Sequence, residues 1–576
     1  MGRPAARLGD TTMHGSPLTG AACTNVLIGG KPAWRIGDQH TCTIPNAPPP
    51  GCDGAPHGPG ITVPSGSAGE GVTLIGGKPG ATLGDIVMEP HAIVPLPPNN
   101  NIVQGEMTVL VGAMGGGAGG AGAGNSPRSG KCTRQGHPVN VATGDVTAYG
   151  TDLQLPGLIP IRLVRTYSSR HSNIGGEFGF GWSHSLGWQL TVSGNQAVYT
   201  DPEGRNLRFE LAPGATTAEI VPEGVTLRIE GPEWRVTTPT GREIVFRPVS
   251  EGVPAPPLLL RDAFGNALEF LYRDGFLAAI RDSSERYILF RRDSTGRITA
   301  LELADQEPAR AERIREFRYD GAGDLVAVVD GVGSQWRYEY HGHLLLKEID
   351  RNGDQWHFRY DAQRRCVETW GPEGLLYRRF HFSVNRTLMI DSLGWPWVYE
   401  WNDRGLVTAL TTPLGYREET LWNEQDQALS RTDRNGHTEF REYDPDTGNP
   451  AAIVDASGAA WKFEYNQRGQ EIRRTDPEGN VSESFYDDRG AKIGYRDALG
   501  RITRFEVDTR GMVSAVISPD GRRTSFTRDR YGFPEEIRDS GGTLLERLRF
   551  DFRGRLLEQT RAGGGRIRQT WNNNDR

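Results

Sequence analysis

Beyond about residue 256 the chain runs in a short beat, with about six residues of alternating apolar and polar character and then a polar break. Phe463 and Tyr465 are two apolar positions of one such run. A period of two puts alternate side chains on one face, so each run is predicted to be a half-buried β-strand. The breaks read Asp-x-x-Gly, as in Asp476 to Gly479 and Asp497 to Gly500. Asp caps a tight turn through its side chain, and Gly supplies the positive φ. A longer period lies over this beat. An aromatic or similar residue recurs at Tyr319, Tyr340, Tyr360, Phe380, Trp401, Trp422, Tyr443, Tyr465, Tyr486, Val507, Arg528 and Phe550, a mean step of 21 residues. Asp follows directly at seven of the twelve, and Gly falls fourteen residues later in ten. Twelve two-strand units predict about 24 strands. An open twisted sheet rarely exceeds ~10 strands without curling, so this one must coil or close into a hollow shell. Each unit leaves an apolar face that only its neighbours can cover. The fold class is all-β.

The first 112 residues have another texture, rich in Gly, Pro and short apolar runs. Asn25-Val26-Leu27-Ile28-Gly29-Gly30-Lys31-Pro32 recurs as Val72-Thr73-Leu74-Ile75-Gly76-Gly77-Lys78-Pro79, and partly as Met107 to Gly112. A second signature reads Pro4-Ala5-Ala6-Arg7-Leu8-Gly9-Asp10, then Pro32 to Asp38, then Pro79 to Asp85. Three copies of strand, turn and strand predict a small pseudo-threefold β object. Residues 113–134 include an unbroken Gly/Ala stretch that reads as a flexible linker.

These motifs carry resemblances. Residues 1–112 resemble the PAAR-repeat family, through Pro4-Ala5-Ala6-Arg7 and its later copies. That likeness implies a sharp cone capping the trimeric VgrG-type spike of the type VI secretion system. Residues 256–576 resemble the Rhs, or YD-repeat, family. Gly136 to Asp145 and Phe178-Gly179-Phe180-Gly181-Trp182-Ser183-His184-Ser185 resemble the N-terminal Rhs domain, placed at 135–255. In such proteins the repeats wind into a cocoon around a C-terminal toxin. The resemblance therefore implies a zinc-pinned spike tip followed by a toxin-carrying β-shell. The implied partners are the spike trimer, a toxin cargo and a chaperone. The family's closing Asp-Pro-x-Gly-Leu element is not found here: Asp201-Pro202, Asp444-Pro445 and Asp476-Pro477 lack the following x-Gly-Leu. The shell is therefore expected to be incomplete, and any toxin activity to lie outside this chain.

The candidate chemistry is a metal site. His14 lies four residues after Asp10, and Cys42 four after Asp38, so two signature copies place ligand-type side chains at equivalent positions. His91 follows Asp85 by six, and His57 sits in the Pro-rich stretch between copies. Three His and one Cys close a tetrahedral Zn2+ shell, and the PAAR likeness implies a structural zinc of this composition. His40 is a rival ligand, two residues from Cys42 on the same strand face, and Cys52 a weaker one. Cys23 is expected to pack as a small apolar residue. A cone too narrow to bury much core gains folding energy from such an ion. Four protein ligands leave no position for water, so a zinc hydrolase using Glu89 is the less favoured reading.

Bulk composition narrows the rest. The net charge is -7 and no dense basic block occurs, which disfavours nucleic acid. The stretch near Met107 to Gly124 is mostly Gly and Ala, so no membrane span is expected. The N-terminus lacks an apolar signal core, which implies synthesis in the cytoplasm and machine-borne secretion. Five Cys without a signal peptide argue against a disulfide framework. The repeat Asp residues read as turn caps rather than catalytic pairs, and no catalytic residue is assigned. The repeat Tyr and Trp read as strand-to-strand packing. A surface adhesion or carbohydrate-binding repeat protein is the alternative. His137 and His184 show no partner in the sequence and read as structural.

Overall fold

The computed structural model describes residues 133–571 other than Pro202, Glu203 and Pro248. Before residue 133 it describes Leu8, Leu18, residues 31–34 and the backbone of short strands between Arg3 and Val111. The chain forms two compact units, Met1–Gly116 and Gly117–Arg576.

In the first unit both copies of the Leu-Ile-Gly-Gly-Lys-Pro stretch pair as antiparallel hairpins, Cys23–Ile28 with Lys31–Ala33 and Leu74–Ile75 with Lys78–Pro79. Arg3–Ala5 pairs with Glu106–Val111, which joins the two ends of the unit. Four further strands form one sheet in the order Gln39–His40, Gly60–Val63, Ile86–Met88, Asn100–Asn101. Leu18, Ala33 and Trp34 are fully buried.

The second unit is built on one antiparallel meander of 34 strands, from Thr217–Ile220 to Arg566–Arg568, each paired with its sequence neighbours. It begins at Thr217, well ahead of the clear 21-residue period. Inward positions such as Phe317, Tyr338, Phe358, Phe380 and Tyr399 are buried. They alternate with outward charges that pair across strands, as in Arg417–Glu400 (2.8 Å) and Arg523–Glu506 (2.7 Å). Such exposed pairs contribute little, so the inward packing dominates.

The turns follow the Asp-x-x-Gly reading. Asp455 Oδ1 accepts backbone N–H bonds from Ser457 (2.9 Å) and Ala459 (3.0 Å), and Gly458 takes φ +87°. Turns directly after the repeat aromatic form one rim of the sheet, the near rim. Turns fourteen residues after it form the far rim.

The coiling has a local cause. The register slips at the aromatic of unit after unit, between Glu464 and Tyr465, Phe485 and Tyr486, and Glu506 and Val507. A bulge bends its strand and increases the twist. Repeated beside one rim, it turns the sheet continuously. The wall consequently meets itself: Asn266 Nδ2 on the far rim donates to Arg510 O on the near rim (2.8 Å), 244 residues on. Twenty-three strands, Ala267–Arg273 through Ile502–Val507, lie between them. The same seam carries Ser284 Oγ to Arg530 O (3.0 Å) and the Arg553–Glu312 ion pair (2.9 Å).

Residues 133–211 pack against the inward face as a plug. They form two hairpins, Arg134–Gln135 with Val139–Asn140 and Gly175–Gly176 with Gly179–Phe180, and two three-stranded sheets. One holds Thr147–Leu155, Ile161–Ser168 and Trp182–His184; the other holds Gln189–Ser193, Gln196–Thr200 and Asn206–Glu210. Plug and wall share one core, from Val139 to Tyr399.

Candidate functional site: a plugged, coiled wall

The repeat aromatic has a polar handle, and the handle has a fixed target. Tyr443, Tyr465 and Tyr486 donate their hydroxyls to the carbonyls of Ala428 (2.9 Å), Pro450 (2.7 Å) and Glu471 (3.1 Å), each fifteen residues back. Those acceptors are the residues paired with the bulged Trp422, Tyr443 and Tyr465 of the preceding unit. A bulge disturbs the ladder and leaves a backbone group in need of a partner; the next unit's handle supplies it. Burial pushes the Tyr465 phenol up to about 12. The exceptions in the sequence keep the function. Trp422 Nε1 reaches Val407 O (2.8 Å), and Arg528 Nε reaches Val513 O (3.0 Å). Tyr272 Oη on Pro257 O (2.9 Å) and Arg292 Nε on Leu277 O (3.1 Å) play the same part before Tyr319. Sequence reading missed these two. The Arg292-Asp293 pair repeats the Arg528-Asp529 pattern, which was the available signal.

Plug loops sit on successive near-rim turns. Glu177 O accepts from Ile298 N (2.7 Å), Phe180 stacks on His343 (3.8 Å), Ser172 Oγ accepts from Arg364 Nη2 (2.7 Å), and Gly144 O accepts from Cys366 N (2.8 Å). Gly179 holds φ +90°, and a Cβ there would lie 2.7 Å from Gly323 O, so the close approach requires glycine. Deeper in, Trp182 Nε1 donates to Tyr340 Oη (3.0 Å), and Tyr167 Oη donates to His343 O while accepting from Leu345 N (both 2.9 Å).

Charges in this interface are paired. Arg165 Nε lies 2.5 Å from Asp152, with both side chains buried and the guanidinium 4.8 Å from the Trp182 ring. Burial raises the Asp152 carboxyl above its ordinary range against the pull of Arg165. Burial acts the same way on Glu177. There the hydrogen bond and charge of His184 and the charge of Arg292 outweigh it and hold the carboxyl at about 2. His184 lies 2.7 Å and Arg292 2.6 Å from Glu177. His137 stacks on Trp356 (4.1 Å) and meets Glu348 (3.0 Å). Both histidines thus have partners on the plug or wall that the sequence did not reveal. Burial pushes the Cys366 thiol up to about 12, which keeps it unreactive.

His14, Cys42, His57 and His91 lie outside the described residues, as do Glu89 and Cys52; of His40 and Cys23 only strand backbone is described. Among the described residues no group of three or more His, Cys, Asp and Glu could hold a metal ion, and no helix is long and apolar enough to cross a membrane.

A β-meander wound around its own N-terminal plug and built from bulged 21-residue units defines a class, the coiled β-repeat wall. Family models agree in three places: the PAAR motif at residues 8–87, a domain of unknown function (DUF6531) at 136–209, and the RHS Repeat at 443–481. The chain thus carries a PAAR motif and RHS repeats and resembles PAAR-containing Rhs repeat proteins. It is similar to the probable deoxyribonuclease RhsB of Dickeya dadantii, 27% identical over 439 residues, covering 74% of this chain and 28% of that protein. It is also similar to toxin protein Tse5 of Pseudomonas aeruginosa, 25% identical over 425 residues, covering 61% of this chain and 32% of that protein. The chain thus spans about a third or less of these relatives' length. Among solved structures, a Photorhabdus luminescens Tc holotoxin pore carrying a TccC3 mutation aligns at 12% identity with a TM-score of 0.38, covering 72% of this chain and 27% of that one.

Proposed function

We propose that this chain is the carrier part of a toxin-delivery protein. Its wall holds a polypeptide toxin, and its first unit, residues 1–112, caps a trimeric VgrG-type spike of a type VI secretion machine. One observation carries the first half. The fully buried core shared by plug and wall ends at Tyr399, with Val407, Leu410 and Phe552 packed against it. Beyond it the same face continues with Ile453, Phe463, Tyr465, Tyr495, Phe505 and Phe526, partly exposed and uncovered by the described plug residues. A concave face of aromatic and aliphatic side chains interspersed with Arg431, Arg441 and Arg474 suits an incompletely folded polypeptide, which offers apolar side chains and free backbone groups together.

The PAAR match at residues 8–87 supports the second half, since short strands can continue those of a trimer by edge pairing. The Gly/Ala-rich stretch links this tip to the plug of residues 133–211, and the meander from Thr217 onward forms the wall. The donor set His14, Cys42, His57 and His91, three imidazoles and one thiolate, suits structural Zn2+. The toxin activity lies in a segment other than those described, and the protein leaves the bacterial cytoplasm by the secretion machine.

The test is direct. The epitope-tagged full chain is expressed in a bacterium with a matched spike and a working contractile sheath. It should be recovered from the medium together with the spike, and deletion of the sheath should keep both inside. Release that persists without the sheath sinks the reading.

A further inference from the structure

The seam where the wall meets itself is built unlike the wall. Within the wall every strand is laddered to its sequence neighbours, whereas the seam joins turns to turns. Among the described residues no backbone-to-backbone hydrogen bond crosses it. Far-rim turns from 221–224 to 305–312 interdigitate with near-rim turns from 444–449 to 551–555, and most are fastened. Gly448 lies against Val221 and Pro222. Phe264 packs on Gly511 and beneath the Arg489 guanidinium (5.8 Å), and Asn266 bonds to Arg510 O. Ser284 and Arg286 bond to the carbonyls of Arg530 and Phe552, while Asp305 and Glu312 pair with Arg530 and Arg553. This last stretch is braced from inside as well, where Pro156 and Leu158 of the plug sit against Gly554 and Gly532.

One far-rim turn is not fastened. Chain order sets the turn 238–242 between those of Val221 and Phe264, opposite the near-rim turns 466–470 and 487–491. Among the described residues no hydrogen bond, ion pair or ring contact joins it to either. Its Thr238 hydroxyl is spent within the turn, on Thr240 Oγ1 (2.9 Å) and Arg242 O (3.2 Å). Arg242 holds the same place in its turn as Asn266 and Arg286, which both donate across the seam, but its guanidinium has no partner among the described residues. Thr240, Gly241 and Arg242 are exposed, as are Gln467, Arg468, Asp488 and Arg489 opposite, whereas Tyr531 and Arg553 on the fastened stretch are buried.

Local opening starts where such contacts are fewest. We propose that the turns 238–242, 466–470 and 487–491 frame a lateral port through the wall. It widens when the seam lifts as far as Phe264, and every strand ladder stays intact. Its traffic is an extended polypeptide. Neighbouring near-rim turns lie two strands apart, about 10 Å, and one strand occupies about 5 Å, so the port passes a single chain and excludes folded units. Arg242, Arg468 and Arg489 outnumber Asp488 on its rim, which favours acidic stretches. The port stands on the seam's geometry and does not need the carrier reading.

The test bridges the port. In the full chain, Thr240→Cys with Gln467→Cys is joined by a bismaleimide of about 10 Å. Each single variant treated with the same reagent controls for the native cysteines. Bridging should lower hydroxyl-radical labelling of Phe264 several-fold, read by mass spectrometry, while Tyr531 labelling and amide exchange within the strands stay unchanged. A short Glu-Ser peptide carrying a terminal photo-crosslinker should attach to the inward residues Tyr443, Tyr465 and Tyr486 beside the near rim. The bridge should cut that attachment several-fold, and so should Arg242→Glu without the bridge. Because the probe is a free peptide, the outcome does not depend on whether the chain carries a toxin. Cysteines that fail to bridge, Phe264 labelling unmoved by the bridge, or equal peptide attachment in bridged and control chains overturns the proposal.

Discussion

Arg286 Nη1 donates to the carbonyl of Phe552, 266 residues away, at 2.9 Å. The same nitrogen donates to Pro156 O of the plug (2.7 Å), while Nε and Nη2 hold Asp282 (2.8 and 2.7 Å). One buried side chain thus ties the plug, the first coil and the second coil together. Arg286→Met is expected to lower stability by about 3–5 kcal/mol, because Asp282 stays buried without its partner. Hydrogen exchange should rise at residues 156–158 and 550–555 ahead of the rest of the wall. Adding Asp282→Asn should recover part of the stability without recovering that local protection. Uniform loosening of all strands would show that Arg286 acts only as a packed side chain.

The handle of Tyr465 gives a second expectation. Tyr465→Phe keeps the ring and deletes one hydrogen bond to Pro450 O, leaving that carbonyl short of a partner. The loss should be about 1–2 kcal/mol, read from the denaturation midpoint. Arg528→Met should behave alike, and Arg528→Tyr should stay near wild type, since a phenol serves the same target in neighbouring units. A larger loss in Arg528→Tyr than in Arg528→Met would refute the shared role.

Much of the wall was legible because it is written locally. Asp455 and Gly458 announce a turn, and Phe463 and Tyr465 announce a strand face, wherever they stand. The 21-residue step implied coiling because so many strands cannot stay flat. The strands between Thr217 and Arg261 escaped the periodic reading, since Thr237-Thr238-Pro239-Thr240 carries no Asp-x-x-Gly mark although it turns in the same way. Pairings across long sequence distance were invisible. Nothing in the sequence near His137 points to Glu348, 211 residues away, and nothing near Asn266 points to Arg510. Such contacts depend on how far the sheet turns per unit, which the bulge geometry sets and the spacing does not.

Acid should weaken the wall through identifiable groups. Glu177 is held at about 2, below its ordinary 4.5, by His184 and Arg292. A lowered carboxyl contributes stability that is present above about pH 4.5 and lost as pH falls toward 2. With a third of its side chain exposed, screening limits this to about 1–2 kcal/mol. The turn caps Asp361, Asp391 and Asp497 are lowered too, so they act in the same direction. Asp152, raised by burial, acts in the opposite direction. The melting temperature should therefore drop between pH 4.5 and 2, and Glu177→Gln should flatten part of that slope. A slope identical in the variant would show that Glu177 is not a contributor.

The first unit supplies the last expectation. Its strands are two to six residues long. A cone too narrow to bury much core is expected to draw on another source of folding energy. Zinc held by His14, Cys42, His57 and His91 would provide it, because metal bound only in the folded state adds its binding energy to stability. The full chain should contain one zinc per molecule by elemental analysis. A strong chelator should lower the melting of this unit while leaving the β-repeat wall unchanged, which separate hydrogen-exchange readings of the two units would reveal. Cys42→Ser should halve or abolish the zinc content, whereas Cys366→Ser should not alter it. If Cys42→Ser and His14→Ala both keep full zinc, the ligand set shifts to His40 or Cys52. If the unsubstituted chain carries no zinc and shows the same first-unit protection with chelator as without, the metal has no part in holding this unit together.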